Sequence, residues 1–268
     1  VALFGAGHRA ERLNPGARQT TLLPDKQNIA YTGAVTLGDL QRLVRARDDA
    51  GALRALADLQ PAREELPAAA ALALHLGRPS LAARWWARAS ELGEGDAQSA
   101  RLGLAAAQCR RGLGQDALRT LSGAADSARA AVLRARALSF SRPDEAEGAA
   151  HVAVSSARRE GDAPALIAAV TLLGETLLAR GEGREALLAL AEGLKVAEMT
   201  GAEADAHLLA VLAHAQLQVG SARKAHATAE KALARSAPRS PARVLALRAL
   251  GRSADAEKEA EAGELPAA

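Results

Sequence analysis

Aromatic side chains are nearly missing from this chain. Two Phe, two Trp and one Tyr make up 2% of its 268 residues. An aromatic-packed core is therefore excluded, and the interior must be mostly alanine and leucine, both strong helix formers. Cysteine occurs once, at Cys109, which excludes an intrachain disulfide and a multi-cysteine metal site. Cys109 lies in an apolar stretch, so a buried, inert thiol is expected. Runs of β-branched and aromatic residues, which favour strands, are scarce. Charges interrupt every apolar run well short of the about 20 residues that cross a bilayer. The charges are not gathered either. Lys and Arg number 34 against 31 Asp and Glu, a formal +3, spread along the chain rather than clustered as in a nucleic-acid tract.

What is abundant is alanine, about a quarter of the chain, within an apolar content of 49%. All-α is the direct reading. A spacing then repeats. Gly181 is followed five residues on by Ala186, Gly220 by Ala225, Gly251 by Ala256, Gly112 by Ala117 and Gly77 by Ala82. Ser141 with Ala146 is the same device with Ser for Gly, and Asp48 with Ala52 is a degenerate first copy. From Ala82 the alanines advance by 35, 29, 40, 39 and 31 residues, the range of helix-hairpin repeats with variable loops. Glycine lets the chain leave a helix through a left-handed turn, and a small residue early in the next helix lets the pair approach closely. One hairpin cannot bury its apolar face alone, so neighbours stack.

The best copy carries Leu173-Gly174, Leu177, Gly181, Ala186, Leu190 and Gly193-Leu194. The second carries Leu212-Ala213, Gln216, Gly220, Ala225, Ala229 and Ala232-Leu233. These residues resemble a tetratricopeptide repeat, and the resemblance spans roughly residues 67–262. The family's first-helix Trp and closing Pro are absent from both copies. The resemblance implies a right-handed α-solenoid of stacked antiparallel hairpins, about seven here. It also implies a non-enzymatic module that binds protein segments on the concave face, lined by the first helices. The family's concave positions fall on Glu175, His207, His214, Gln218, Ser99 and Arg110. Where the family's carboxylate clamp needs Lys and Asn, this chain has Thr171 and Glu175, then Ala210 and His214, so that mechanism is not expected.

In order along the chain, residues 1–36 read as an extended arm, broken at Asn14-Pro15-Gly16 and Leu23-Pro24-Asp25. The arm carries Leu22, Leu23, Ile29, Tyr31 and Val35, which need a covering surface, and Tyr31 is a candidate partner contact. Residues 37–262 form the repeat domain, and 263–268 a tail. Ser80 is the expected N-cap of the helix carrying Trp85 and Trp86, one Trp packing inward and the other nearer the surface. The last hairpin, rich in Glu and Lys, suits a solvated capping helix.

Other constellations are weaker. His226 and Glu230 stand four apart on one helix face but lack a third metal ligand, so a solvated face is expected. Asp205, His207 and His214 share a helix region with no nucleophile in a recognisable motif. Arg84, Arg88, Arg101, Arg110 and Arg111 near the Trp pair suit Arg stems lying along a helix surface better than a nucleic-acid face. Nothing calls for a cofactor or a metal.

The leading reading is a non-enzymatic scaffold or adaptor that binds other protein chains. A second is an N-terminally anchored assembly or cofactor protein of a bacterial envelope complex, since Val1–Gly7 is apolar and His8-Arg9 follows. Only such an anchor would place the chain at a membrane, and composition leaves the compartment open. A third is a nucleic-acid-binding or regulatory repeat.

Overall fold

The structure, a computed structural model, describes residues 35–93, 96–201 and 204–266. Nearly all of the expected arm, with Tyr31, lies outside the described residues. Among the described residues there are fourteen α-helices and no strand. They pair as seven hairpins: α1 (Leu37–Arg45) with α2 (Asp49–Asp58), α3 (Leu66–His75) with α4 (Pro79–Leu92), and α5 (Ala97–Arg110) with α6 (Gly114–Leu121). Then follow α7 (Ala128–Ser141) with α8 (Pro143–Glu160), α9 (Ala163–Ala179) with α10 (Gly183–Met199), α11 (Ala206–Gln218) with α12 (Ala222–Arg235), and α13 (Pro241–Ala249) with α14 (Ser253–Ala262). Helix α1 starts where the arm was expected to end. Thr36 Oγ1 accepts the Asp39 N–H at 3.2 Å, and Asp39 Oδ2 accepts the Thr36 N–H at 3.0 Å, a capping box.

The five glycine turns all carry left-handed backbone, from φ +70° at Gly77 to +82° at Gly181. The first hairpin uses Arg47 at φ +55°, five residues before Ala52, so its turn sits one residue earlier than the expected Asp48. Asp48 instead caps α2, accepting the Gly51 N–H at 2.9 Å. At the serine copy the chain passes through Arg142 at φ −149°, a conformation any residue adopts, and Pro143 opens α8. That is why glycine is dispensable there. The residues five positions on, Ala52, Ala82, Ala117, Ala146, Ala186, Ala225 and Ala256, are all buried, none above 1% exposed. In the best copy a Cβ on Gly174 would lie 2.9 Å from Leu190, and one on Gly193 would lie 2.8 Å from Val170. Neither helix of that hairpin has room for one more methyl at these points. First helices also pack on first helices, α5 on α7, α7 on α9, α9 on α11 and α11 on α13, forming the inner layer.

The last hairpin returns to the second and third. Residues 263–266, expected as a tail, are part of this closure. Glu264 Oε2 accepts the Ser80 N–H at 3.1 Å, and the same carboxylate lies 3.6 Å from Arg78. Helix α4 is thus capped from the far end of the chain. Ser80 is not its N-cap, because Pro79 opens the helix and Arg78 takes that place. Arg239, before α13, fits against Gly77, whose missing Cβ would sit 2.4 Å from it. Pro266 covers the Gly112 turn in the same way, 2.9 Å from where a Cβ would be. Each closure point joins a glycine or a helix N-terminus to a residue more than 150 positions away, so no local signal announces it.

Two outcomes test this fold. Ala186→Leu and Ala225→Leu should each lower stability by roughly 1–3 kcal/mol, the usual cost of overpacking, read as a lower urea midpoint. Removing residues 263–268 should open the array, read by small-angle scattering as a larger radius of gyration with unchanged helical circular dichroism.

Candidate functional site

The inner layer curves back on itself, so the concave face is a half-open channel. It holds a cavity of about 980 Å3. Every first helix contributes an apolar side chain to its wall: Val44, Leu72, Ala106, Leu133, Ile167, Val211 and Val244. Trp86, Phe140, Leu265 and Pro266 add to it, the last two from the closing segment. Trp86 is 3% exposed, while Trp85 is half-buried. The indole of Trp86 lies flat on α5 because Gly103 has no side chain, and a Cβ there would come within 2.3 Å of the ring.

Set into this apolar wall is a charged cluster. Arg136 on α7 donates through both terminal nitrogens to Glu175 on α9, with Nη2 at 3.1 Å from Oε1. His207 Nε2 lies 2.5 Å from Glu175 Oε1. A carboxylate only accepts, so this contact places a proton on Nε2. The backbone N–H of His207 donates to Asp205 Oδ1 at 2.6 Å, which makes Asp205 the N-cap of α11. Burial alone would push the Glu175 carboxyl up, but Arg136 and His207 outweigh it and hold the group down at about 2. Burial likewise opposes the charge on Arg136, and the Glu175 carboxylate more than restores it. The three side chains form a closed, satisfied set.

Arg110, at the end of α5, is placed differently. It lines the same cavity, yet its Nη1 is enclosed with no hydrogen-bond partner among the described residues. Burial first, then repulsion from Arg136, pushes its pKa down to about 10, so it stays cationic at neutral pH. Neighbouring His75 is held below its usual range, chiefly by burial and also by the Arg110 charge, which together outweigh Asp49. Cys109 is 4% exposed, its thiol pushed up to about 12 by burial, and Sγ contacts the Leu133 carbonyl at 3.8 Å.

Of the concave positions implied by the resemblance, Glu175, His207, His214 and Arg110 meet in this one cavity. His214 Nε2 donates to the Leu245 carbonyl at 3.0 Å. Ser99 and Gln218 lie apart from it. Ser99 donates its hydroxyl to Asp96, the N-cap of α5, at 2.8 Å. Gln218 donates to the Leu178 carbonyl at 3.1 Å, close against Gly183. Arg136 was missed, though a signal for it existed. Val132, Arg136 and Phe140 recur every four residues on α7, a lone cation inside an apolar helix face, and all three line the cavity. His226 and Glu230 form a 3.7 Å contact on the outer surface, each more than half exposed. The basic residues near the Trp pair do not share a face. Arg110 turns inward, while exposed Arg101 donates to the Gly123 carbonyl at 2.9 Å. Among the described residues no helix is long and apolar enough to cross a membrane.

No protein-family profile matches the chain, and no curated protein does. Among solved structures it is similar to a tetratricopeptide repeat protein from Parabacteroides merdae. The TM-score is 0.58 at 15% identity, over 80% of this chain and 82% of that one. The chain therefore has a tetratricopeptide-like fold.

Glu175→Gln should destabilise the chain by about 1–3 kcal/mol at neutral pH, because it leaves the half-buried Arg136 charge without its counter-charge. The sign of the acid dependence follows from the depressed carboxyl. The stabilisation is present above the ordinary carboxylate value of 4.5 and is lost as pH falls through about 2. The gap in urea midpoint between parent and variant should therefore narrow across that window.

Proposed function

We propose that this chain is a non-enzymatic scaffold or adaptor for other protein chains, one that receives a partner segment in its channel and engages partners through residues 1–36 as well. A tetratricopeptide-like fold is generally a protein-binding one, and the comparison supports that coarser statement. The observation that carries the finer reading is the convergence of all seven first helices on a single wall, mostly apolar and interrupted by one set of charges. Such a wall offers apolar area for affinity and a few fixed polar groups for orientation. Arg136, Glu175 and His207 are held by one another, so this part of the wall is preorganised and a segment entering it would not have to order it.

A photocrosslinking amino acid at Ile167, in the channel wall, at Tyr31, in the arm, and at Leu188, which is 76% exposed on α10, tests the reading. In extract of the native host, the first two positions should capture discrete partner chains and the third should not. Capture from Leu188 alone would place the interface on the outer helices and reject the channel.

A further inference from the structure

The channel holds a cation that the scaffold reading does not use. Three arginines line the wall, Arg110, Arg136 and Arg248, against two carboxylates, Glu175 and Asp205. Arg136 has its counter-charge in Glu175, and Asp205 serves the backbone of α11. Arg110 has no hydrogen bond or ion pair among the described residues, although its Nη1 is fully enclosed. Burying a guanidinium without a counter-charge is costly, and chains keep such a group chiefly where something else supplies the charge.

We propose that the cavity binds a small organic acid, with its apolar body seated between the first helices and its single carboxylate paired with Arg110. Four observations point to that chemistry. The cavity, at about 980 Å3, is at the upper end of the range for small-molecule sites, and its wall is apolar with few polar groups, as such sites are. The guanidinium presents a planar fork that matches a carboxylate in two parallel hydrogen bonds. A monoanion fits, because three arginine charges against two carboxylates leave one charge to balance. Finally, Leu265 and Pro266 line the cavity from the end of the chain and bound the room left for the occupant's apolar body. This inference goes beyond the scaffold role and does not rest on it, since it is read on the purified chain without any partner.

The experiment titrates the full chain with dodecanoate below its micellar range, by calorimetry and by tryptophan fluorescence, Trp86 being in the cavity wall. Saturable one-site binding is expected. Dodecylamine, with the same body and the opposite charge, should bind roughly tenfold or more weakly. Arg110→Met should lose dodecanoate to a similar degree while keeping its helical circular dichroism, because it removes a charge that has no internal partner. Arg119→Gln, at an arginine 79% exposed on the surface, should bind as the parent does. The proposal is overturned by absence of saturable binding, by equal binding of the acid and the amine, or by parent-like binding in Arg110→Met. Should that variant fail to fold, the acid–amine comparison on the parent chain decides alone. Binding of N-acetyl-Leu-Leu-Phe acid without binding of dodecanoate would also overturn it, in favour of a partner's chain terminus.

Discussion

Helices in this chain meet through alanine, and the separation that alanine sets reaches everything else. With one methyl at each anchor position, the second helix of a hairpin lies close enough that glycine is required opposite Leu190 and Val170. Close pairs leave little room between hairpins, so first helix packs on first helix from α5 to α13. A stack built this way curves, and over seven hairpins the curve returns to the second and third. The contacts that seal it, Arg239 at Gly77 and Pro266 at Gly112, are themselves close approaches to a residue without a side chain. The same principle thus acts locally within hairpins and globally between the ends.

Curvature turns an exposed concave face into an interior. Side chains that would be solvated on a flatter array are placed where charge is costly. Glu175, Arg136 and His207 answer that cost by satisfying one another across α7, α9 and α11, and they tie three hairpins together in doing so. Arg110, one hairpin earlier, faces the same medium without a partner among the described residues. One cavity thus holds a guanidinium answered within the chain and another whose Nη1 is not.

Closure also bears on the likeness to solved tetratricopeptide structures. At 15% identity the shared property is the path of the chain, not the identity of the groups that line it. The clamp positions of that family hold Thr171, Glu175, Ala210 and His214 here, and three of these serve internal contacts: Thr171 with the Ile167 carbonyl, Glu175 with Arg136, His214 with the Leu245 carbonyl.

By itself the sequence determined the helices, their pairing and their turns. Those depend on residues within a few positions of one another: a glycine that tolerates positive φ, a small residue five places on, a threonine and an aspartate three apart at the start of α1. Glu175, His207, His214 and Arg110 were named through the resemblance to a tetratricopeptide repeat, whose concave positions they occupy. The sequence did not show that Arg136 would neutralise Glu175 from 39 positions away, nor that Glu264 would cap α4 from 184 away. It could not tell Ser99 and Gln218, which serve local or packing contacts, from the residues that reach the cavity. Such choices depend on the accumulated rotation from hairpin to hairpin, summed over the whole array. A small change per repeat moves the far end by many ångströms, so only the folded chain decides whether the concave face stays open or closes around a charge.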